Sequence, residues 1–426
     1  MKVLLLGNGA REHAMAWALK RSPLVTSLTI APGNSGTAML GENVPLDPTN
    51  VPAVLDLVSE KKIDLVVVGP EAPLVMGVSD ACRGKGIAVF GPGKKGALLE
   101  GSKAFSKNFM KRHSIPTAPF DICTEIGEVE KALKKRTAPY VVKADGLAAG
   151  KGAFIIDDLK EALFTAEELL SGRKLGKAGE TLVIEDCLSG MELTVLAITD
   201  GRNIKALSPS QDHKRVFDED RGPNTGGMGA YSPVPWADQS IMEDIRKMIL
   251  EPTLSGLQEE GIPYCGVIYA GLMIDEKKRP SLIEYNVRLG DPEAQVVLPV
   301  FEGDFAETLV ACCERRLDQL AWPKTEKTAV DVVLASGGYP GNYEKGFPIK
   351  GLEELADRED ILVFHAGVSM DSQGRFVTDG GRVLSVVGLA QDLKGAVEKA
   401  YSGVKQIFFE GMHYRSDIAS KAIDFQ

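Results

Sequence analysis

The first hundred residues alternate between short apolar segments and segments rich in helix-forming residues. The apolar segments are Val3–Leu6, Leu28–Ile30, Leu65–Val68 and Ala88–Phe90. Each is followed closely by glycine or proline, and helix formers fill Glu12–Lys20 and Pro52–Glu60 between them. Parallel strands need crossover segments of this kind. The pattern predicts an α/β fold with a doubly wound parallel sheet, whose ligands bind where the glycine-rich turns meet beyond the carboxyl ends of the strands.

The rest of the chain predicts α+β structure in three further parts. Residues 123–190 contain the strands and helices of a small unit, and residues 328–426 those of a last unit that ends in a helix over Leu393–Glu410. Between them lies a central unit with a helix near Ile241–Glu259. We therefore predict four subdomains, with the bounds 1–101, 102–122 together with 191–327, 123–190, and 328–426.

Composition narrows the class of protein. The 44% apolar and 25% charged residues are typical of a globular chain, and the net charge of −10 disfavours broad nucleic-acid or membrane binding. The six cysteines form no C-x-x-C pair, so we expect a reduced compartment and no structural zinc site. The apolar run before Gly7 is too short for a signal peptide, and no segment is long enough to span a membrane. A cytoplasmic location is expected.

The turn Gly7-Asn8-Gly9-Ala10-Arg11-Glu12 partly matches a dinucleotide fingerprint. Glu12 stands where the third glycine belongs, and Pro32-Gly33-Asn34 stands where an acid should bind a ribose. An NAD site is therefore disfavoured. A backbone cradle for another phosphate group, or a tight turn without a ligand, fits the segment better.

The loop Gly146-Leu-Ala-Ala-Gly150-Lys151-Gly152 resembles a P-loop but has three residues between its glycines and lacks the Ser or Thr that binds Mg²⁺. A Walker A site is rejected. The loop follows an apolar strand that ends in Lys143, so it could fold its backbone N–H groups over phosphates. The alternative is an ordinary glycine-rich surface turn.

The segment Glu284-Tyr-Asn286-Val-Arg288 places three polar side chains at alternate positions of a strand. Alternate residues face the same side of a sheet. A carboxylate and an amide oxygen are suitable ligands for Mg²⁺, and a guanidinium can bind an anion in bidentate fashion. An exposed sheet face with no ligand is the alternative.

Two weaker signals lie between these segments. Glu185–Glu192 indicates a strand that breaks and resumes, where free backbone groups could bind an adenine edge and Glu192 a ribose, although a bulged hairpin would look the same. Asp212-His213-Lys214-Arg215 precedes an irregular loop with several glycines. No nucleophile accompanies His213, so we interpret this residue as structural or positioning rather than as a catalytic base.

In this order the motifs resemble those of the ATP-grasp carboxylate–amine ligases, and the resemblance covers essentially the whole chain. The segments that carry it are Gly7–His13, Ala31–Asn34, Val68–Leu74, Gly101–Phe105, Val142–Gly152, Asp212–Arg215, Gly226–Tyr231 and Arg288–Gln295. The last of these is the most specific. The resemblance implies an ATP-grasp fold in residues 102–122 and 191–327, a lid lobe in 123–190, a pre-ATP-grasp domain in 1–101 and a small C-terminal domain.

The match is closest to the members of this family that join glycine to 5-phosphoribosylamine in purine biosynthesis. It implies that ATP phosphorylates the glycine carboxylate and that the amine attacks the glycyl phosphate, giving glycinamide ribonucleotide, ADP and phosphate. Positive charge and a metal ion must then neutralise the phosphates. Glycine, phosphoribosylamine, ATP and Mg²⁺ or Mn²⁺ are the implied ligands, with no nucleic acid, membrane or obligate protein partner.

The resemblance also implies roles for individual residues. The implied catalytic residues are Lys143, Asp212, Lys214 and Arg288, and the implied metal ligands are Glu284 and Asn286. The implied ATP-binding residues are Lys103, Lys107, Lys143, Gly150, Lys151, Gly152, Glu185, Asp186, Leu188 and Glu192. The implied substrate-binding residues are Gly7, Asn8, Gly9, Ala10, Arg11, Glu12, Pro32, Gly33, Asn34, Gly69, Pro70, Glu71, Asp212, Arg288 and Gly290.

One position departs from the family pattern, because Gly271 stands where related ligases often supply another metal-binding acid. Other classes remain as alternatives. These are a purine-pathway ATP-grasp carboxylase or formate-using relative, an NAD-dependent oxidoreductase, and a nucleotide-binding regulator without turnover. The retained set of Lys143, Glu284, Asn286 and Arg288 disfavours the regulator.

Overall fold

A computed structural model describes residues 1–148 and 152–423 of the 426-residue chain. Its N-terminal part confirms the doubly wound parallel sheet, in the order β3-β2-β1-β4-β5. The strands are β1 (Lys2–Gly7), β2 (Ser27–Pro32), β3 (Glu42–Asn43), β4 (Leu65–Val68) and β5 (Ala88–Phe90). The helices are α1 (Ala10–Lys20), α2 (Val51–Lys61), α3 (Glu71–Met76), α4 (Val78–Gly84) and α5 (Lys94–Gly101). Residues 3–6 of β1 are fully buried, as expected for a central strand covered on both faces.

A helix, α6 (Lys103–Arg112), leads into the small lobe and begins where the Ser102 hydroxyl accepts a hydrogen bond from the Phe105 N–H. The lobe is an antiparallel sheet in the order β6-β9-β7-β8, covered by two helices. Its elements are β6 (Phe120–Cys123), α7 (Ile126–Lys134), β7 (Tyr140–Ala144), β8 (Ala153–Ile156), α8 (Leu159–Leu170) and β9 (Leu182–Asp186). Because β6 pairs with β9, this sheet begins three residues before the predicted bound at 123.

The central part contains a second antiparallel sheet, in the order β11-β10-β16-β17. The strands of this central part, of which only four belong to that sheet, are β10 (Met191–Thr199), β11 (Ile204–Ala206), β12 (Gln211–Asp212), β13 (Arg215–Phe217), β14 (Arg221–Asn224), β15 (Gly229–Ser232), β16 (Gly266–Ile274) and β17 (Pro280–Asn286). Its helices are α9 (Gln239–Ile245), α10 (Glu251–Glu259), α11 (Glu293–Val300) and α12 (Phe305–Cys313). The single helix predicted near 241–259 is α9 and α10 joined by a π-helical turn over Arg246–Leu250.

The C-terminal part contributes β18 (Thr328–Ala335), β19 (Ile361–His365), β20 (Val368–Met370), β21 (Phe376–Thr378), β22 (Arg382–Ala390), α13 (Leu393–Val404) and α14 (Ser420–Ile423). Its main sheet has the order β12-β15-β18-β22-β19, so strands from both sides of the predicted bound at 327 share one sheet. The helix predicted to reach Glu410 ends at Val404, because the backbone of Phe408 pairs with that of Lys350.

Within the part of the chain that the structure describes, no helix combines the length and apolarity needed to cross a bilayer. The N-terminal, lobe, central and C-terminal segments described above all contribute residues to the cavity described next.

Candidate active site

A cavity of about 440 Å³ opens where the four parts of the fold meet. Its lining includes Arg11 from the start of α1, Lys143 from β7, Glu284 from β17 and Arg382 from β22. Each of these side chains comes from a different part of the chain. The cavity is therefore built by side chains that lie far apart in the sequence.

The end of β17 presents the predicted row of polar side chains. Glu284, Asn286 and Arg288 all line the cavity, as do Ile283 and Tyr285, whereas Val287 is 1% exposed and does not. The end of the strand and the two residues after it bring the three predicted polar side chains to the cavity. This places a carboxylate, an amide and a guanidinium beside one another on the cavity wall.

The Arg288 guanidinium is fixed by two carboxylates from the N-terminal part. Its Nη2 lies 2.9 Å from Glu100 Oε1, and its Nε lies 3.4 Å from Glu71 Oε2. The other Glu100 oxygen accepts the Val287 N–H at 2.8 Å. Burial alone would lower the pKa of Arg288. The charges of Glu100 and Glu71 outweigh burial and raise this pKa above the ordinary arginine value. The group is therefore a rigid permanent cation, and its Nε has no hydrogen-bond acceptor among the described residues.

Two buried lysines share one carboxylate deep in the cavity. Lys107 Nζ lies 2.8 Å from Glu185 Oε2, and Lys143 Nζ lies 3.0 Å from Glu185 Oε1. Lys107 also donates to the Thr117 hydroxyl at 2.7 Å. Burial lowers the pKa of Lys107 to about 8. Burial raises the pKa of Glu185, yet the two lysines hold it below its usual range. The carboxylate positions the lysines and leaves the trio with a net positive charge.

The nucleoside contacts predicted for Glu185 and Asp186 stay predictions, and in this structure both side chains have protein partners. The Glu185 carboxylate is engaged by Lys107 and Lys143. The next residue, Asp186, pairs with Arg136 at 2.8 Å, and its N–H donates to the Pro119 carbonyl at 3.0 Å. Both groups are thus occupied by protein partners.

A third cation, Lys214, lies between two acids. Its Nζ is 3.1 Å from Asp212 Oδ1 and contacts Glu192 Oε2 on the other side. Burial lowers the pKa of Lys214, but Asp212 and Glu192 raise it well above its usual value. Lys214 therefore stays charged. Glu192, predicted to hold a ribose, is paired with this lysine and does not line the cavity.

His213, between Asp212 and Lys214 in the chain, has surroundings consistent with a structural or positioning role rather than with that of a catalytic base. It is 8% exposed, its Nε2 accepts the Ala419 N–H at 3.3 Å, and it does not line the cavity. Burial, followed by the charge of Arg415, lowers the pKa of His213 to about 4.

Glu293 is a cavity residue that the sequence analysis did not single out. It is 3% exposed at the start of α11, and its Oε1 accepts a hydrogen bond from the Tyr269 hydroxyl at 2.8 Å. Burial, and then the nearby charge of Asp212, raises the pKa of Glu293 to about 7. The carboxylate can therefore exchange a proton near neutral pH.

Arg382 was also missed. Its Nη1 donates to the carbonyls of Gly226 and Asp291 at 2.8 and 2.9 Å, and lies 3.2 Å from Asp291 Oδ1. It joins the glycine-rich loop over 224–227 to the turn before α11, at the edge of the cavity. Apart from the motif Arg288–Gln295, which contains Glu293, no local signal in the sequence connects these residues to the site.

Of the residues predicted in the N-terminal turns, Arg11 and Glu71 line the cavity. Glu12, at the third-glycine position, folds back so that its carboxylate accepts the Gly9 N–H and the Arg11 Nε–H, both at 2.6 Å. A Cβ at Gly69 would lie 2.2 Å from this carboxylate, so the absence of a side chain there makes room for it. The Glu12 side chain fills the space between the turns after β1 and β4.

The turn after β2 is tied to the C-terminal part. The Asn34 amide donates to the carbonyls of Asn8 and His365 at 2.9 and 2.7 Å, and its oxygen accepts the N–H groups of Gly36 and Thr37. In this structure Asn34 is a structural link between the two parts.

The predicted site residues therefore divide into three groups. Those that line the cavity are Arg11, Glu71, Lys103, Lys107, Lys143, Gly152, Glu185, Asp212, Lys214, Glu284, Asn286 and Arg288. Those outside its lining are Gly7, Asn8, Gly9, Ala10, Glu12, Pro32, Gly33, Asn34, Gly69, Pro70, Asp186, Leu188, Glu192 and Gly290. Gly150 and Lys151 lie outside the described residues.

Family models match almost the whole chain. The N domain of phosphoribosylglycinamide synthetase matches residues 1–100, its ATP-grasp (A) domain residues 101–294, and its C domain residues 329–421. The phosphoribosylamine–glycine ligase of Escherichia coli O157:H7 is 45% identical over 426 residues, which cover 100% of this chain and 99% of the relative. That of Vibrio parahaemolyticus is also 45% identical, over 99% of both chains.

Solved structures agree with the sequence matches. The phosphoribosylamine–glycine ligase of Thermotoga maritima superposes with a TM-score of 0.87 at 37% identity, covering 98% of this chain and 100% of that chain. A biotin carboxylase domain from Hydrogenobacter thermophilus, solved with MgADP and bicarbonate, gives a TM-score of 0.74 at 18% identity, covering 97% and 91%. The second likeness shows a shared fold only. Together, the family models and the full-length identity show that this chain belongs to the phosphoribosylglycinamide synthetase family.

Proposed function

We propose that the protein joins glycine to 5-phosphoribosylamine at the expense of ATP, releasing glycinamide ribonucleotide, ADP and phosphate. The names of its full-length relatives give this reaction. The observation that carries the proposal is the cavity itself, in which Lys107, Lys143, Lys214 and Arg288 face Glu284 and Asn286. Cations, hard oxygen ligands and a buried carboxylate are what phosphoryl transfer to a carboxylate requires.

The donor set of β17 fits a divalent cation. Glu284 lines the cavity and has no hydrogen-bond or ion-pair partner among the described residues, so its oxygens are free to bind a metal. Gly271 lies opposite it in the ladder, and no cluster of three His, Cys, Asp or Glu side chains suited to a metal occurs in the described ranges. Two protein ligands, with nucleotide phosphate and water oxygens completing the shell, suit Mg²⁺ or Mn²⁺. The bound ion would withdraw negative charge from the phosphates.

The lysines define the proposed phosphate end of the ATP site. Lys107 and Lys143, held by Glu185, would bind the phosphate oxygens, and Lys103 lies one helical turn before Lys107 on the same cavity wall. Gly150, Lys151 and Gly152 stay assigned to the same phosphates. Because the side chains of Asp186 and Glu192 are paired elsewhere, contacts of Asp186 and Leu188 with the nucleoside would use their remaining backbone groups.

Other side chains of the lining would hold the acceptor substrates. Arg288 would bind the glycine carboxylate and then the transferred phosphoryl group, with Asp212 and Lys214 beside it. Arg11 and Glu71 line the side of the cavity formed by the N-terminal part, where phosphoribosylamine would enter. A closed cavity excludes water, which protects an acyl phosphate from hydrolysis.

Glu293 supplies the proton acceptor that C–N bond formation needs. The amine nitrogen attacks the carbonyl carbon of glycyl phosphate, the bond from that carbon to the phosphate oxygen breaks, and phosphate leaves with the electron pair. The nitrogen must then lose a proton, which Glu293 would accept. Tyr269 holds one oxygen of the carboxylate and leaves the other available.

This role predicts a specific pH dependence. The pKa of Glu293 is raised to about 7, so the active carboxylate form is present above that pH and is lost as the pH falls. We expect kcat to fall tenfold per pH unit below about pH 7. Glu293→Gln should lower kcat by about 10²–10⁴ and remove the acidic limb. The control is Glu307→Gln, at an exposed position on the neighbouring helix α12. This variant should keep the wild-type kcat and its decrease at low pH. An unchanged acidic limb in Glu293→Gln would exclude this role.

The reaction is tested by substrate dependence. ADP release should require glycine and phosphoribosylamine together, and leaving out either should reduce it to background. Bicarbonate with aminoimidazole ribonucleotide, or formate, should not replace them. ADP release with one of those substrate sets would favour a carboxylase or formate-using ligase. No ADP release with any of the sets would favour a regulator.

The cytoplasmic location and the expected lack of nucleic-acid, membrane or obligate protein partners stay predictions.

A further inference from the structure

A second cavity, of about 810 Å³, lies beside β5 and the start of β16. It shares no lining residue with the active-site cavity. Three cysteines and four basic residues line it: Cys265, Cys312, Cys313, Arg83, Lys94, Lys95 and Arg315. The proposed ligase reaction uses none of these side chains.

The Cys265 thiol lies within contact of the other two. Cys265 Sγ is 3.4 Å from Cys312 Sγ and 3.8 Å from Cys313 Sγ. Cys265 is partly exposed, whereas Cys312 is buried and donates to the Thr199 carbonyl at 2.9 Å. The fold thus brings Cys265 to two cysteines 47 and 48 residues away in the chain. Small side-chain movements would bring a pair to the ~2.0 Å of a disulfide bond.

The surroundings favour negative charge. None of Arg83, Lys94, Lys95 and Arg315 has an ion-pair partner within the described ranges, 1–148 and 152–423. The two acids of the lining are already engaged by backbone N–H groups, Asp80 with that of Lys94 at 2.6 Å and Asp200 with that of Leu317 at 3.1 Å.

The same surroundings activate one thiol. The adjoining thiols of Cys312 and Cys313, and then the charge of Arg83, hold the pKa of Cys265 well below its usual value despite burial. A thiolate is the nucleophilic form of cysteine. Cys265 is therefore the sulfur best placed to react with a molecule that enters the cavity.

We propose that this cavity is a thiol-modification site for a small anionic disulfide, with Cys265 as the attacking residue and Cys312 as the resolving residue. The Cys265 thiolate attacks one sulfur of the ligand, the ligand's S–S bond breaks, and half of the ligand leaves as a thiolate. The Cys312 sulfur then attacks the Cys265 sulfur, the bond to the other half of the ligand breaks, and that half takes up the Cys312 proton and leaves as a thiol, so that the protein disulfide is formed. The ligand gains two electrons, and the two cysteines lose them.

Three disulfides of different charge test the proposal on the reduced full-length protein. They are oxidised glutathione, which is anionic, 2-hydroxyethyl disulfide, which is neutral, and cystamine, which is cationic. Intact mass and peptide mapping give the rate and the site of modification. We expect oxidised glutathione to modify Cys265 about tenfold or more faster than cystamine does, with high salt reducing the difference. Equal rates, or faster reaction at the exposed Cys187, would overturn the proposal.

Variants separate the attacking thiol from the charge around it. Cys265→Ser should abolish modification at this cavity, and Cys187→Ser should leave it unchanged. Lys94→Ala with Lys95→Ala should slow the reaction with oxidised glutathione but not that with 2-hydroxyethyl disulfide. Cys312→Ser should stop the reaction at the mixed disulfide on Cys265. A Cys265–Cys313 disulfide in the wild-type protein would overturn the assignment of Cys312. None of these readouts depends on ligase activity.

Discussion

Arg288→Ala is expected to lower kcat/KM for ligation by about 10²–10³ and the free energy of unfolding by about 3 kcal/mol. The loss of rate follows because the guanidinium is the rigid cation between the proposed glycine and phosphate positions. The loss of stability follows because Glu100, with 7% of its side chain exposed, would be left without its 2.9 Å partner. Denaturant unfolding and steady-state kinetics measure the two effects separately.

A second substitution separates stability from catalysis. Glu100→Gln added to Arg288→Ala removes the unpaired buried charge, so most of the lost stability should return while the rate stays low. Arg288→Lys should keep a charge but lose the bidentate geometry, and we expect a rate between the two. Recovery of the rate in the double variant would show that Arg288 acts only by supporting the fold.

Glu284→Ala is expected to reduce kcat by at least about 10³ with little change in stability. Glu284 has no described protein partner, so its removal leaves no group unsatisfied, whereas the divalent cation loses its only proposed carboxylate ligand. Glu284→Asp should retain some activity and need more Mg²⁺ for half-maximal rate. Kinetics at a series of Mg²⁺ concentrations, with thermal unfolding alongside, measure both properties.

The matched control is Glu276→Ala. Glu276 is an exposed acid in the turn between β16 and β17, and β17 is the strand that carries Glu284. It should behave as wild type in both assays. Near-normal activity of Glu284→Ala at low Mg²⁺ would remove Glu284 from the metal site.

Much of this site could be predicted because its signals are local. Alternation along β17 places Glu284 and Asn286 on one face whatever surrounds the strand, and Arg288 follows two residues after the strand ends. Glycine and proline at strand ends likewise predicted the parallel sheet, since turn chemistry depends on neighbours in sequence. These features do not require knowledge of the tertiary structure.

The sequence did not reveal the site residues whose role comes from contacts between distant parts of the chain. Glu100 meets Arg288 across 188 positions, and Arg382 meets Asp291 across 91. Glu293 gains its role from burial beside Tyr269, which no periodicity reveals. The same cause explains why Glu192 pairs with Lys214 and why Asn34 links two parts of the fold instead of facing the cavity.

The central claim is that the glycine carboxylate is activated as an acyl phosphate before the amine attacks. Glycine labelled with ¹⁸O in its carboxylate tests it, with mass analysis of the phosphate released in a complete ligation reaction. Each released phosphate should carry one labelled oxygen, because the oxygen bridging carbon and phosphorus leaves with the phosphate. Unlabelled phosphate, formed together with glycinamide ribonucleotide, would contradict it.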